Sequence, residues 1–168
     1  LISCMIDILK HRGPDAEGYH LTADVQLGHC RLAINDLSEE ANQPFQSHDK
    51  AVSVVVNGEI YNFRDIKGPL IQKGFPFRSN SDCEVILHAY LDRGLEFIPE
   101  LNGMFAIAIW DEREKTLILA RDRLGIKPLY YTHAGNSLFF ASEIKALAAC
   151  EEVNLSLDLQ AFGEYLVF

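Results

Sequence analysis

The chain has 168 residues, of which 48% are hydrophobic and 23% charged, with a formal net charge of −9. That length suits one domain burying roughly 70% of the surface its unfolded form exposes, and the composition is globular rather than disordered. The acidic balance argues against a nucleic-acid partner, and no apolar stretch approaches the ~20 residues needed to span a membrane. The four cysteines, Cys4, Cys30, Cys83 and Cys150, are scattered without any C-x-x-C pair. Neither a disulfide framework nor a metal site is expected from them, and a reducing, cytoplasmic setting suits them.

In chain order, Leu1, Met5, Ile8 and Leu9 have helical spacing, which places Cys4 on a helix that His11-Arg12-Gly13-Pro14-Asp15 ends. Residues 25–34 read as a strand-pair region and 36–49 as a long polar surface loop. Ala51-Val52-Ser53-Val54-Val55-Val56 reads as a buried strand that stops at Asn57-Gly58-Glu59-Ile60-Tyr61-Asn62, where Gly58 permits a tight turn. Two readings stand for that elbow. It is a hairpin corner, since Asn-Gly is a common two-residue turn, or it aims the Asn57 amide and the Gly58 N–H at a developing oxyanion.

Asn62 can cap a short helix reaching toward Lys73, which Gly68-Pro69 should kink. Ser81-Asp82-Cys83-Glu84 has the form of a capping box opening a helix with Cys83, Ile86, Leu87, Tyr90 and Leu91 on its inner face, and Gly94 stops it. Residues 104–110 and 116–120 predict a β-hairpin whose first strand is apolar on both faces, as in an inner layer. Residues 129–131 and 138–140 predict a second hairpin turning at Gly135-Asn136, and residues 158–168 look helical. Pattern alone supports a mixed α/β domain with stacked antiparallel sheets. His20, His29, His48, His88 and His133 show no ligand spacing.

His11 to Asp15, Gly28-His29-Cys30-Arg31-Leu32-Ala33-Ile34, Gln43-Pro44, Asn57 to Asn62, Ser81 to Glu84, Arg121 to Tyr131 and Ala141-Ser142-Glu143-Ile144-Lys145 occur in one order. Together they resemble the glutaminase domain of glutamine-dependent asparagine synthetase, a class II glutamine amidotransferase of the amino-terminal-nucleophile hydrolase superfamily. The resemblance covers nearly the whole chain. It implies an α/β (α+β) fold, the four-layer αββα sandwich of two mainly antiparallel sheets.

It also implies a chemistry. In the family an amino-terminal cysteine attacks the glutamine amide with its own α-amine as base, forming a thioester and releasing ammonia. By resemblance, Asn57 and Gly58 form the oxyanion hole, Arg31 binds the α-carboxylate, and Asp82 with Glu59 receives the α-ammonium. Other readings are an exposed ion pair for Arg31 and a helix N-terminal carboxylate for Asp82. The charge-dense segments at His11 to Asp15 and Arg121 to Leu129 are expected to fix loop geometry.

The family's cysteine is followed by Gly-Ile, whereas this sequence opens Leu1-Ile2-Ser3-Cys4. The expectation is a fragment lacking the nucleophile and the first strand, and therefore inactive by itself. No Ser-Gly-Gly-x-Asp-Ser pyrophosphate loop occurs, so ATP and magnesium are expected only on an absent synthetase domain and no cofactor here. Residues 1–160 would be the amidotransferase domain and 161–168 the start of a connection to that synthetase. L-Glutamine, the synthetase domain and a second copy in a homodimer are the expected partners. The rivals are a non-catalytic glutamine-binding or regulatory module and the glutaminase of an amidotransferase with another acceptor.

Overall fold

The computed structural model describes residues 1–167. In chain order these form α1 (Ile2–Leu9), β1 (Ala16–Leu21), β2 (Gln26–Arg31), β3 (Phe45–Gln46), β4 (Val52–Ile60), α2 (Phe63–Gln72) and α3 (Glu84–Arg93). Then follow β5 (Gly103–Asp111), β6 (Thr116–Arg121), β7 (Tyr130–Ala134), β8 (Ser137–Ala141), α4 (Ile144–Leu147) and α5 (Leu159–Tyr165). Among the described residues no helix is long and apolar enough to cross a membrane.

The central strands β4 and β5 pair antiparallel along their whole length, within a sheet of order β3-β4-β5-β6. Their continuous apolar runs are explained by cover on both faces. On one face Val54, Val56, Ile107 and Ile109 pack with Ile66 and Leu70 of α2 and Ile86 of α3. On the other, Val55, Ala108 and Trp110 meet Leu27 of β2 and Phe140 of β8. Outside these hairpins, Met5 of α1 packs with Ala146 and Leu147 of α4 and with Cys150. The layers are therefore helix, sheet, sheet, helix, as the resemblance implies, and each fully buried apolar side chain contributes roughly 1.5–3 kcal/mol to holding them together.

Among the described residues, the layer facing the central sheet is built from two hairpins that do not pair with each other. The hairpins β1-β2 and β7-β8 are separate two-stranded sheets. Between β2 and β8 lies a groove of about 560 Å³, lined by Val55, Ala106 and Ala108 from the central sheet and by Met5 and Ile6 from α1.

Several local expectations need correction. β4 does not stop at Asn57: it continues to Ile60, with Asn57 opposite Ala106 and Gly58 opposite Phe105, so Asn57-Gly58 is neither a hairpin corner nor an elbow. Pairing with the long strand β5 overrides the turn signal. Residues 25–34 hold a single strand, β2, whose partner β1 lies before it. The segment 36–49 contains a 3₁₀ turn at Glu39–Ala41 and the short strand β3 rather than only loop. Pro69 sits inside an uninterrupted α2, where Ile66 and Leu70 are both anchored in the core. Asn62 does not cap α2 with its side chain, which instead donates to Glu100 O and accepts from Asn102 N. Nor does the capping box form, since Glu84 turns back to the Arg78 and Ser79 N–H groups. Gly94, at φ +60°, does end α3. The predicted final helix appears as α5, with Asp158 accepting from the N–H groups of Gln160 and Ala161; Phe168, within the range 158–168, lies outside the described residues.

Candidate functional site

Arg31, Asn57, Gly58, Glu59 and Asp82 all line one cavity of about 290 Å³, close to the size of ordinary small-molecule sites. Arg31 comes from the end of β2, Asn57 to Glu59 from the last third of β4, and Asp82 from the turn before α3. Arg12, Asp36 and Lys127 share the wall, so carboxylates and cations face the same space.

The geometry of β4 explains why Gly58 is distinctive. In an antiparallel ladder, a residue's N–H and C=O point together toward one neighbour, and the side alternates along the strand. Phe105, opposite Gly58, accepts from Asp122 N at its carbonyl and donates its N–H to Asp122 Oδ2, both on the β6 side. Gly58 therefore points its own N–H and C=O outward, away from β5. Along that outer edge, Val56 N donates to Gln43 Oε1 at 2.6 Å and Val56 O accepts from Gln43 Nε2 at 3.0 Å. Ile60 N donates to Asp82 Oδ2 at 2.7 Å, and Gly58 O accepts from Cys83 Sγ at 3.5 Å. The Gly58 N–H between them meets no acceptor among the described residues. A side chain is excluded here: at φ +155°, a Cβ would lie 2.0 Å from Met104 O.

The Asn57 side chain projects into the space between the sheets, on the same face as its partner Ala106, and donates from Nδ2 to Ser142 Oγ at 3.5 Å. Ser142 is held by its neighbour Glu143, which takes Arg12 at 2.9 Å, Lys145 at 3.0 Å and His11 at 3.2 Å. Those bonds, the Arg12 and Lys145 ones above all, pull the Glu143 carboxyl down to about 2.

Arg31 is not the exposed ion pair that one reading offered. Nη1 donates to Ser38 O and Asn42 Oδ1, each at 2.7 Å, and Nη2 donates to Asp36 O. A guanidinium carries five N–H donors, so Nε–H and one Nη2–H remain for a ligand carboxylate. Asp82, 7% exposed, caps Ile60 of β4 rather than the start of α3, and Asn35 Nδ2 approaches its Oδ1 at 3.5 Å. Glu59 adds a second carboxylate to the same wall.

None of the cysteines is poised beside Asn57. Cys4 is exposed on α1, Cys30 donates to Ile6 O, and Cys150 lies against Met5. Cys83 does line the cavity, but burial, reinforced by the Asp82 charge, pushes its thiol far up and leaves it protonated. Burial, with the Arg31 charge acting the same way, lowers His29 to about 4, so its imidazole is neutral where it separates the cavity from the groove.

Sequence reasoning missed Gln43 and Ser142. The dipeptide Gln43-Pro44 and the segment Ala141 to Lys145 marked both positions, yet nothing in a linear sequence says that an amide will bond Val56 from both ends. The loop after β6 matches its expectation. Asp122 accepts from Ile126 N at 2.8 Å and Lys127 N at 2.9 Å, and Arg121 Nε donates to Lys127 O at 2.6 Å.

The family model described as a glutamine amidotransferase domain matches residues 1–168. The chain belongs to this family. The glutamine-hydrolyzing asparagine synthetase 2 of Bacillus subtilis (strain 168) is 46% identical to the amidotransferase domain over 147 residues, 88% of this chain and 19% of its own length. The like-named asparagine synthetase 2 of Arabidopsis thaliana is 49% identical over 146 residues, 86% of this chain and 25% of that one. Amidase chry2 of Gibberella zeae is 47% identical over 146 residues, 86% of this chain and 22% of its own. The amidotransferase domain thus spans a fifth to a quarter of these relatives. Among solved structures, a glutamine phosphoribosylpyrophosphate amidotransferase from B. subtilis aligns with TM-score 0.61 and 29% identity, over 73% of this chain and 28% of its own.

Proposed function

We propose that this domain releases ammonia from the side-chain amide of L-glutamine, leaving glutamate, for ATP-dependent amidation of aspartate by a synthetase. The observation that carries this reading is the convergence of Arg31, Asp82, Glu59, Asn57 and the outward Gly58 N–H on one cavity. The two remaining Arg31 donors grip the α-carboxylate, while Asp82 and Glu59 take the α-ammonium. Paired opposite charges in one cavity select a free amino acid over a peptide side chain. The amide carbonyl oxygen then lies against the Gly58 N–H and the Asn57 amide, donors already held in place before charge develops on it. Glutamine-hydrolysing asparagine synthetases among the relatives favour aspartate as the eventual acceptor. In this reading residues 161–168 begin the connection to the synthetase, and the setting is cytoplasmic.

The reaction also needs a thiol with a free amine as its base. The groove between β2 and β8 is suited to an extended segment, since both walls are strand edges and the floor is apolar. It reaches Asn57, which lines the groove as well as the cavity. A cysteine-led strand seated there would bring its thiol to the amide.

The test supplies that strand. A segment beginning Cys-Gly-Ile is joined ahead of Leu1, or added in trans, and ammonia and glutamate are measured with L-glutamine as substrate. We expect release that falls by about 10²–10³ in Asn57→Ala, the usual cost of one oxyanion donor. Glutamine binding with no release from any cysteine-led form would favour the regulatory module instead.

A further inference from the structure

The turn that presents Asp82 is built around a different carboxylate. Glu84, two residues on, faces away from the cavity and is only 3% exposed. Its Oε1 accepts from Arg78 N at 2.8 Å, and its Oε2 from Ser79 N at 2.8 Å and Ser79 Oγ at 2.6 Å. His88 Nε2, one helical turn along and packed edge-on against Phe77, lies 3.5 Å from Oε1. The chain of bonds continues outward from there. Ser79 Oγ accepts from Ser81 N at 3.2 Å, Ser81 Oγ from Cys83 N at 3.2 Å, and Asp36 Oδ2 from Asn80 N at 2.7 Å. Asp36 is also the residue whose carbonyl accepts from Arg31.

A buried carboxylate is unfavourable unless several donors compensate it, and a helix start needs no such group. A carboxylate serving α3 alone would sit at the exposed first turn and take the helix's own N–H groups. Glu84 instead organises the residues preceding Asp82 and, through Asn80 and Asp36, ties them to the loop held by Arg31.

We propose that Glu84 is a positioning residue that fixes the Asp82 carboxylate relative to the Arg31 guanidinium, and so sets the site's selectivity for a free α-amino acid. This rests on the reading of Asp82 as the ammonium partner. Selectivity is the readout that a merely structural role would not move.

The experiment titrates the chain with L-glutamine and with 4-carbamoylbutanoate, which keeps the amide and carboxylate but lacks the α-ammonium, using calorimetry. The native chain should prefer L-glutamine by about tenfold or more, the value of a charge-assisted bond. Glu84→Gln should lose most of that preference while binding 4-carbamoylbutanoate as before. Ser79→Ala, which deletes the 2.6 Å bond but leaves both backbone donors, should lose part of it, and Ser79→Thr should restore it. The serine pair decides the matter if Glu84→Gln does not fold. A native chain without preference, or without glutamine binding, overturns the Asp82 reading and this inference with it. Full preference retained in folded Glu84→Gln, or in Ser79→Ala when Glu84→Gln does not fold, overturns the inference alone.

Discussion

Replacing Gln43 with Leu tests whether a side-chain amide completes the central sheet. Beyond the two residues of β3, no strand among the described residues lies beside the outer edge of β4, and Gln43 takes over by bonding both the N–H and the C=O of Val56. Val56 is 2% exposed and Gln43 9%, so water does not freely replace the lost partner. Leu keeps the approximate volume and removes only the polar bonds. Two orphaned backbone groups at about 1–3 kcal/mol each predict a loss of about 2–6 kcal/mol. At an m-value of about 2 kcal/mol/M, the urea midpoint should fall by about 1–3 M. Hydrogen exchange supplies the local readout: the Val56 amide should lose protection far more than Val54, which β3 still pairs. A midpoint shift worth less than about 1 kcal/mol, with Val56 still protected, would refute the idea that this amide stands in for a strand.

Gly58→Ala should destabilise the fold by about 2–5 kcal/mol in thermal melts, from a strained φ and a close approach to Met104 O. Burial alone would raise the Glu84 carboxyl, but the His88 ring 3.5 Å away and hydrogen bonds from Ser79 and two backbone N–H groups outweigh it and hold it at about 2, against a usual 4.5. Its contribution is therefore complete above about pH 4.5 and drains away as pH falls toward 2, so Glu84→Gln should flatten that part of a stability–pH curve. Residues 1–168 prepared by themselves should self-associate through the facing edges of β2 and β8, seen by sedimentation velocity as a concentration-dependent shift; a monomer at every concentration would show that these edges do not recruit a second copy.

Much of the architecture was legible because its signals are local. Helical spacing gave α1 and α3, and the doubly apolar run at 104–110 announced an inner strand, which β5 is. Three of the failures, at Asn57-Gly58, Asn62 and the Ser81–Glu84 capping box, share a cause: a tertiary bond outcompeted a local preference. Asn57-Gly58 would turn in isolation, but nine paired residues of β5 hold it extended. Ser81 and Glu84 would cap each other, but the Arg78 and Ser79 N–H groups claim the carboxylate. The candidate site residues came from family motifs rather than from pattern. Periodicity cannot say that Arg31, Asn57 and Asp82, from three distant segments, will border one cavity, nor that the Gly58 N–H will face away from its ladder.

The Val52–Val56 run raises a question of alignment, because consecutive valines offer almost the same surface after sliding by one place. Ser53 breaks the degeneracy. It is fully buried, faces Trp110, and accepts from Gln46 Nε2 at 3.1 Å, with His20 Nδ1 2.9 Å from the same amide nitrogen. Sliding β4 by one residue would carry Ser53 to the helix-covered face, among the apolar side chains packed there and away from Gln46, and would swing Asn57 to that face with it. One hydroxyl thus works as a ratchet tooth for the strand. A single-residue deletion or insertion within this run should be tolerated far less than any exchange among the valines themselves, because it would move the amide off the cavity without changing how apolar the strand is.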